Sequence, residues 1–261
     1  MTDHAIRATG GSRLVGRLGD LGIAVAIIAL VLLALAPLGF RAGWWTYSVS
    51  FQVLLTYGAY AGIAAAVIAL IALVAGVVVG NRRGIVLGVA ALIIGGVVAY
   101  VPWSYRQVTY VLPRINDITT DTANPPAFNA VLKMREAEKA GSATYDQKFA
   151  ADQQRAYPDI APTLTALPPA DAFARALDAA KSLGWTIVAS DPAQGTIEAT
   201  QSSRWMGFTD DIAIRVAARA DGQPGARIDI RSHSRQGRHD FGVNAARVRS
   251  WTAKLKTEPG I

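Results

Sequence analysis

Hydropathy divides the chain in two near Val101. Up to that point it is almost uninterruptedly apolar, with Arg41, Arg82 and Arg83 the only charges between Asp20 and Arg106. Beyond it Asp, Glu, Lys and Arg recur every few residues. Three apolar runs, at about 21–40, 51–80 and 85–101, predict transmembrane helices. A helix needs roughly 20 apolar residues to cross a bilayer, and the third run reaches that length with Pro102, Trp103 and Tyr105 at the interface. Backbone polar groups in lipid must bond internally, which makes helix the expected form. Residues 1–104 are thus read as a membrane region and 105–261 as a folded domain in water.

Within the second part the periods change. Residues 105–126 read as an extended connector, closed by Pro125 and Pro126, which forbid helix. A polar helical stretch over 129–154 is expected to break around Gly141, followed by a loop holding Pro158, Pro162, Pro168 and Pro169. From Asp171, a suitable N-cap, Phe173, Leu177, Ala180 and Leu183 fall on one helical face, and Gly184 is placed to end that helix. Four strands follow at 185–190, 196–201, 211–217 and 227–234, separated by turn signals at Asp191-Pro192 and Asp221-Gly222. Ile212, Ile214 and Val216 alternate with polar or small residues, as do Ile228 and Ile230, the pattern of an antiparallel sheet with one buried face. A last helix over 240–256 carries Phe241, Ala245, Val248 and Leu255 on a stripe. The expected fold is three transmembrane helices followed by an α+β domain: an antiparallel sheet of about four strands with helices packed on one face.

Charge refines the membrane reading. Six arginines stand against two aspartates up to Val101, so +4 of the net +7 belongs there and +3 to the rest. Arg7, Arg13 and Arg17 precede the first helix, and Arg82 and Arg83 join the second to the third. The loop between the first two helices has only Arg41, with Trp44, Trp45 and Tyr47 suited to an interfacial belt. Positive loops stay in the cytoplasm, which predicts a cytoplasmic N-terminus and a periplasmic or otherwise extracytoplasmic C-terminal domain on a bacterial inner membrane. Ala34-Leu35-Ala36 resembles a signal-cleavage site. Pro37 would follow the cut, however, and the run is long for a signal, so the first helix is expected to stay.

The spans contain no Asp, Glu, Lys or His, residues that ion and proton pathways normally need, which argues against a pump or channel. Gly58 with Gly62, Gly76 with Gly80 and Gly84 with Gly88 are small-residue pairs that let helices approach closely, within one bundle or between copies. The mildly basic domain has no stripe of the kind nucleic-acid binders carry, so nucleic acid is not an expected partner. The lipid bilayer is, together with a membrane or envelope protein. No cysteine is present, which excludes disulfides, thiol catalysis and cysteine-ligated zinc. No cofactor or metal is expected, and oligomeric state is not legible.

Three blocks carry a family resemblance: Asn116-Asp117-Ile118-Thr119-Thr120-Asp121 with Asn124-Pro125-Pro126; Phe208-Thr209-Asp210-Asp211 before a strand ending at Arg215-Val216; and residues 231–244, from Arg231-Ser232-His233-Ser234-Arg235 through Gly237-Arg238-His239-Asp240 to Asn244, continuing to Arg247. In order and spacing over about 116–255 they resemble the DUF1499 family, a domain of unknown function found in bacteria and plastid-bearing eukaryotes. The resemblance implies a domain boundary and no activity. His233 and His239 stand where small or hydroxyl residues are common in that family, which argues against an essential catalytic role for either.

On the predicted last strand Arg227, Asp229, Arg231, His233 and Arg235 share a face opposite Ile228 and Ile230. Arg231, Arg235 and Arg238, with Asn244 and Arg247, could hold an anion near the helix that follows. Equally, the arginines could pair with Asp117, Asp121, Asp210 or Asp211, and Asp240 could satisfy the helix N-terminus. Asp117, Thr119, Thr120 and Asp121 offer oxygens to a hard cation but are also ordinary turn formers. Ser232, His233, Ser234, His239 and Asp240 contain the residue types of a hydrolase triad, yet neighbours on alternating strand faces do not supply its geometry. Asp210 and Asp211, being adjacent, face opposite sides and make a poor acid–base pair. The expected function is therefore a non-enzymatic, membrane-anchored binding or interaction module for a protein, lipid head group or anionic envelope component. An envelope hydrolase using Asp and His is the alternative.

Overall fold

The structure, a computed structural model, describes residues 2–257, with side chains from residue 11 onward. The side chain of Arg7 lies outside that range. Contacts divide the chain into two compact units, Met1–Val108 and Thr109–Ile261.

The first unit holds three helices long and apolar enough to cross a membrane, over Gly11–Arg41, Val49–Val79 and Arg82–Val111. The first belongs to α1 (Thr2–Arg41), and the second opens with a π-helical turn, Val49–Leu54, that continues as α2 (Leu55–Val79). The third is α3 (Arg82–Val111), which runs ten residues beyond the apolar run read from the sequence. Residues 105–111 are therefore helical, not extended. They include no Gly or Pro, and Pro113, which disfavours helix in the residue before it, is the first local stop.

Small residues set the packing of this bundle. Ala26, Ala65, Ala69 and Ala91 form its buried centre. A Cβ on Gly95 would sit 2.6 Å from the Gly62 carbonyl oxygen, and one on Gly62 would sit 2.8 Å from that of Gly95. Only glycine permits that approach of α2 and α3. Gly58 packs against Leu32 of α1, and Gly88 against Ala69 and Leu73 of α2. These glycines thus serve contacts within the bundle. At the α2–α3 turn Asn81 donates to the Ser12 carbonyl (2.6 Å) and accepts from the Gly84 N–H (2.8 Å). Arg83 donates to Asp20 (2.8 Å) at the same end.

The second unit contains a six-stranded antiparallel sheet ordered β1-β6-β5-β4-β3, with β2 also on β6. The strands are β1 (Asp117–Thr119), β2 (Thr163–Thr165), β3 (Thr186–Asp191), β4 (Thr196–Ser202), β5 (Thr209–Ala218) and β6 (Ala226–Ser234). The four longer ones lie where the alternation predicted them. β1 and β2, three residues each, are additional: both line the outer edge of β6, pairing Asp117 with His233 and Thr163 with Ile228.

Helices α6 (Pro169–Ser182) and α7 (Val243–Lys256) cover one face. Ile212, Ile214, Ile228, Ile230 and Trp251 are buried there, each side chain contributing about 1.5–3 kcal/mol of hydrophobic stabilisation. α6 begins at Pro169, so Asp171 is a first-turn residue and not the N-cap: proline's fixed φ suits the first helical position. Gly184 ends the helix with φ +73, as its position suggested.

The sheet does not have one solvated face. Residues 120–156, including α4 (Leu132–Ala137) and α5 (Ala150–Ala156), close over the other side and bury Phe128 and Val131 on Ala213. That face carries Thr196, Glu198 and Thr200 of β4, Asp211 and Arg215 of β5, and Asp229, Arg231 and His233 of β6. Polar alternation, which by itself reads as solvent exposure, here marks a buried ionic layer.

Candidate functional site

The aspartates and arginines singled out from the sequence converge on the sheet, divided between its faces. In the ionic layer Arg231 donates from Nε and Nη2 to the two carboxylate oxygens of Asp117 (2.9 and 2.6 Å). Its guanidinium lies 4.7 Å from the Phe128 ring centroid and donates to the Ala143 carbonyl (2.8 Å). Asp211, wholly buried, accepts from Arg135 (2.7 Å) and from Arg235 (2.7 Å). Arg235 also pairs with Glu138. Burial works against the Arg235 charge, but Asp211 and Glu138 hold its pKa above the ordinary value. Asp229 accepts from Arg215 (2.9 Å) and Arg227 (3.0 Å), and both arginines also reach Asp121. The other Asp121 oxygen takes the N–H groups of Ala123 and Asn124, an Asx turn.

The segment covering this layer is held by matched backbone bonds. Glu198 accepts from the N–H groups of Asn129, Ala130 and Val131 at 2.9–3.1 Å, satisfying donors ahead of α4 that would otherwise be buried unpaired. Thr119 donates its N–H to Gln153 and accepts from the same amide (3.1 and 2.7 Å). Thr120 does likewise with the backbone of Ile230 through its own N–H and hydroxyl.

On the helix-covered face Asn244 is the node. Its Oδ1 accepts from Ser232 (2.6 Å) and Arg247 (2.7 Å), and its Nδ2 donates to Ser234 (2.9 Å) and the Asn116 carbonyl (3.0 Å). Arg247 also donates to Asp210 (2.6 Å) and Gln201 (2.7 Å). Asp240 accepts from the Gly242 and Asn244 N–H groups at the start of α7 (2.9 and 2.8 Å). Burial raises its pKa against those two bonds.

Each of Asp117, Asp121, Asp210 and Asp211 therefore holds at least one arginine, and Arg231, Arg235 and Arg247 are buried in those pairs. Arg238 alone of the five proposed anion-binding residues is exposed. The triad residue types are separated: Ser232 and Ser234 point to Asn244 under α7, while His233 lies in the ionic layer. His239 accepts the Phe241 N–H at Nδ1 (2.7 Å). Phe241 has φ +56, a strained value for an aromatic residue.

One acid–base pair does meet. His233 Nδ1 lies 3.5 Å from an Asp117 oxygen without a hydrogen bond, and 6 % of the histidine is exposed. Burial, with Arg135 and Arg231 nearby, depresses its pKa to about 3, so the ring is neutral. Burial pushes the Asp117 carboxyl up while Arg231 pulls it back. Among the described residues no group of three His, Asp or Glu is placed to hold a metal. An open groove of about 320 Å³ lies elsewhere, between residues 159–163 and α7, and its Arg249 is taken up by Asp159 (2.6 Å).

Residues 117–255 match the family model described as protein of unknown function, DUF1499. The chain belongs to the DUF1499 family. No curated protein matches it. The DUF1499 region opens at β1 and closes within α7, so the Asp117–Arg231 pair ties its first matched residue to its last strand.

Sequence reasoning passed over Arg135, Glu138, Glu198 and Gln153. Glu198 had a signal: it shares a strand face with Thr196 and Thr200, and a lone carboxylate amid threonines implies a dedicated donor set. Arg135 had none, because its partner is 76 residues away.

Proposed function

We propose that this DUF1499 protein is a membrane-anchored, non-enzymatic interaction module whose folded domain offers its outer surface to a partner in the envelope. The observation carrying this reading is the closure of the arginine–aspartate block on itself. Groups the sequence offered for anion binding or acid–base work are held by internal partners, and the free energy goes into a fixed shape. Arg231, Arg235 and Arg247 are structural in this reading, and Arg238 is the member of the set left for an external contact.

The domain is extracytoplasmic and the N-terminus cytoplasmic. Arg13, Arg17, Arg82 and Arg83 at one end of the apolar helices support this, as does the aromatic group of Trp44, Trp45, Tyr100 and Trp103 at the other. Because the chain has no cysteine, Asp221→Cys labelled by an impermeant maleimide in intact cells reads the orientation directly. Labelling only after lysis would reverse it.

A thermal-shift screen of the full chain in detergent, against phosphate, nucleotides, divalent metals and soluble head-group analogues, tests the function. No ligand should raise Tm in a manner that Arg231→Ala or Arg247→Ala abolishes. A specific shift of that kind would make this a small-molecule-binding domain. The hydrolase alternative has one observation in its favour, the Asp117–His233 approach. Hydrolysis of an envelope substrate, lost in His233→Gln at unchanged Tm, would move the function to that pair.

A further inference from the structure

One end of the helical unit is basic. Among the described residues there, Arg13, Arg17 and Asp20 lie on α1, and Arg82 and Arg83 open α3. The two helices touch at this end. A Cβ on Gly19 would lie 3.3 Å from the Gly84 Cα, one on Gly84 would lie 2.6 Å from the Val15 side chain, and Asn81 bonds Ser12. Arg83 donates to Asp20 from Nε and Nη2 (3.1 and 2.8 Å), which sets the start of α3 level with residue 20. Arg17 is less than one turn before Asp20, so Arg17 and Arg82 come to about one depth.

Asp20 is the acidic residue of this end among the described residues, and Arg83 takes it. Arg13, Arg17 and Arg82 are exposed and have no ion-pair partner among the described residues. The start of α3 adds no free anion site of its own, because Asn81 already accepts the Gly84 N–H (2.8 Å). Attraction for an anion therefore rests with the guanidinium groups. Arg17 and Arg82 each head an apolar stripe at helical spacing. Arg17 leads to Leu21, Ala24 and Ile28, and Arg82 leads to Val86, Val89 and Ile93. Leu21, Ile28, Val86 and Ile93 are each more than half exposed, on helices long and apolar enough to cross a membrane.

We infer that this end of the bundle binds anionic phospholipids, with their phosphates on Arg13, Arg17 and Arg82 and their acyl chains along the two stripes. A cation continuous with exposed apolar surface matches a phosphate joined to hydrocarbon, which neither free phosphate nor an acidic peptide offers. Four arginines against Asp20 leave this end at +3 among the described residues. A zwitterionic lipid brings its own cation to each phosphate, whereas a net negative one needs the cations the protein supplies. Each such cation is worth about fivefold in binding. Guanidinium also suits the task, since its fork of N–H donors meets phosphate oxygens in pairs. Lipid binding at this end is independent of what the folded domain's outer surface meets.

The test mixes the full chain, in a neutral detergent, with equal amounts of phosphatidylglycerol and phosphatidylcholine and counts retained lipids by native mass spectrometry. Phosphatidylglycerol should be retained in preference. Arg17→Gln with Arg82→Gln should lower that preference about thirtyfold, the product of two fivefold losses. Arg17→Lys with Arg82→Lys keeps both charges and should keep most of the preference, since lysine also binds phosphate as a point charge. Circular dichroism of each variant establishes that it is folded. Excess soluble glycerol phosphate should leave the lipid bound, because it has the head group without the chains. Equal retention of the two lipids, a preference unchanged in the glutamine variant, or full displacement by glycerol phosphate would overturn the inference and leave the interaction-module reading standing. A thermal shift abolished by Arg231→Ala would remove that reading and leave the lipid site in place.

Discussion

Under α6 and α7, Ile212, Ile214, Ile228 and Ile230 are at most 1 % exposed; on the opposite face Asp211, Asp229, Arg231 and Arg235 are at most 3 % exposed. The two faces are equally dry, yet they tolerate change differently. Apolar packing is non-directional and gains about 25 cal/mol per Å² whichever neighbour supplies the surface. A buried ion pair returns little net stability, because desolvation offsets its attraction, but removing one partner strands the other. The isoleucine face supplies free energy, while the ionic face supplies register: Asp117, Asp211 and Asp229 each accept from arginines placed to meet them.

The sharpest break in this comparison is Asp211→Ala, which strips both Arg135 and Arg235 of their shared buried anion. It should cost about 3–5 kcal/mol in chemical unfolding of the full chain. A loss below ~1 kcal/mol would mean the layer admits water.

Next in size is the pH response. Because the folded pKa of His233 lies near 3, the unfolded chain binds more protons between that value and its ordinary 6.5. Its contribution is complete above pH 6.5 and falls with acid at about 1.4 kcal/mol per unit. Between pH 6.5 and 4.5 that amounts to about 2–3 kcal/mol, and His233→Gln should flatten the slope by this much. Asp117 and Asp240, raised by burial, act in the opposite sense and remain in the variant, so the difference isolates the histidine. An unchanged slope would place the proton elsewhere.

A third comparison uses neighbours on opposite faces. Ile230→Val should cost about 0.5–1.5 kcal/mol. Arg231→Lys, equally conservative by charge, should cost more, because lysine cannot reproduce the two-pronged contact with Asp117. Equal losses would show that charge alone matters in the layer. The smallest effect belongs to Asp159→Ala, whose exposed pair with Arg249 should contribute under ~1 kcal/mol and fade with salt.

Legibility followed the range over which each element is determined. The apolar helices and β3 to β6 carry their own periodicity, and glycines at 184 and 222 punctuate them with positive φ. β1 and β2 carry none: DIT and TLT are too short to show alternation, and each is a strand because distant β6 offers it an edge. The second buried face was hidden for a related reason. Alternating Arg and Asp look solvated until residues 120–156 fold over them, and nothing local to β6 announces that cover. The four aspartates and the arginines were legible as a set, but who pairs with whom depended on register. Arg235 meets Asp211 and Arg247 meets Asp210, although the two aspartates are adjacent in the chain.

The placement of β1 against β6 also governs how the domain is made. Asp117 and Arg231 are separated by 114 positions, and the loop between them must close before their pair can form. Closure entropy over such a separation slows folding, as it does for sheets dominated by non-local pairings. During synthesis β1 emerges long before its partner and waits unpaired while more than a hundred residues follow it. Until β6 arrives, Asp117 is a hydrated carboxylate and residues 120–156 have no surface to cover. Assembly of the ionic layer is thus a late event, set by the last strand of the sheet to be translated.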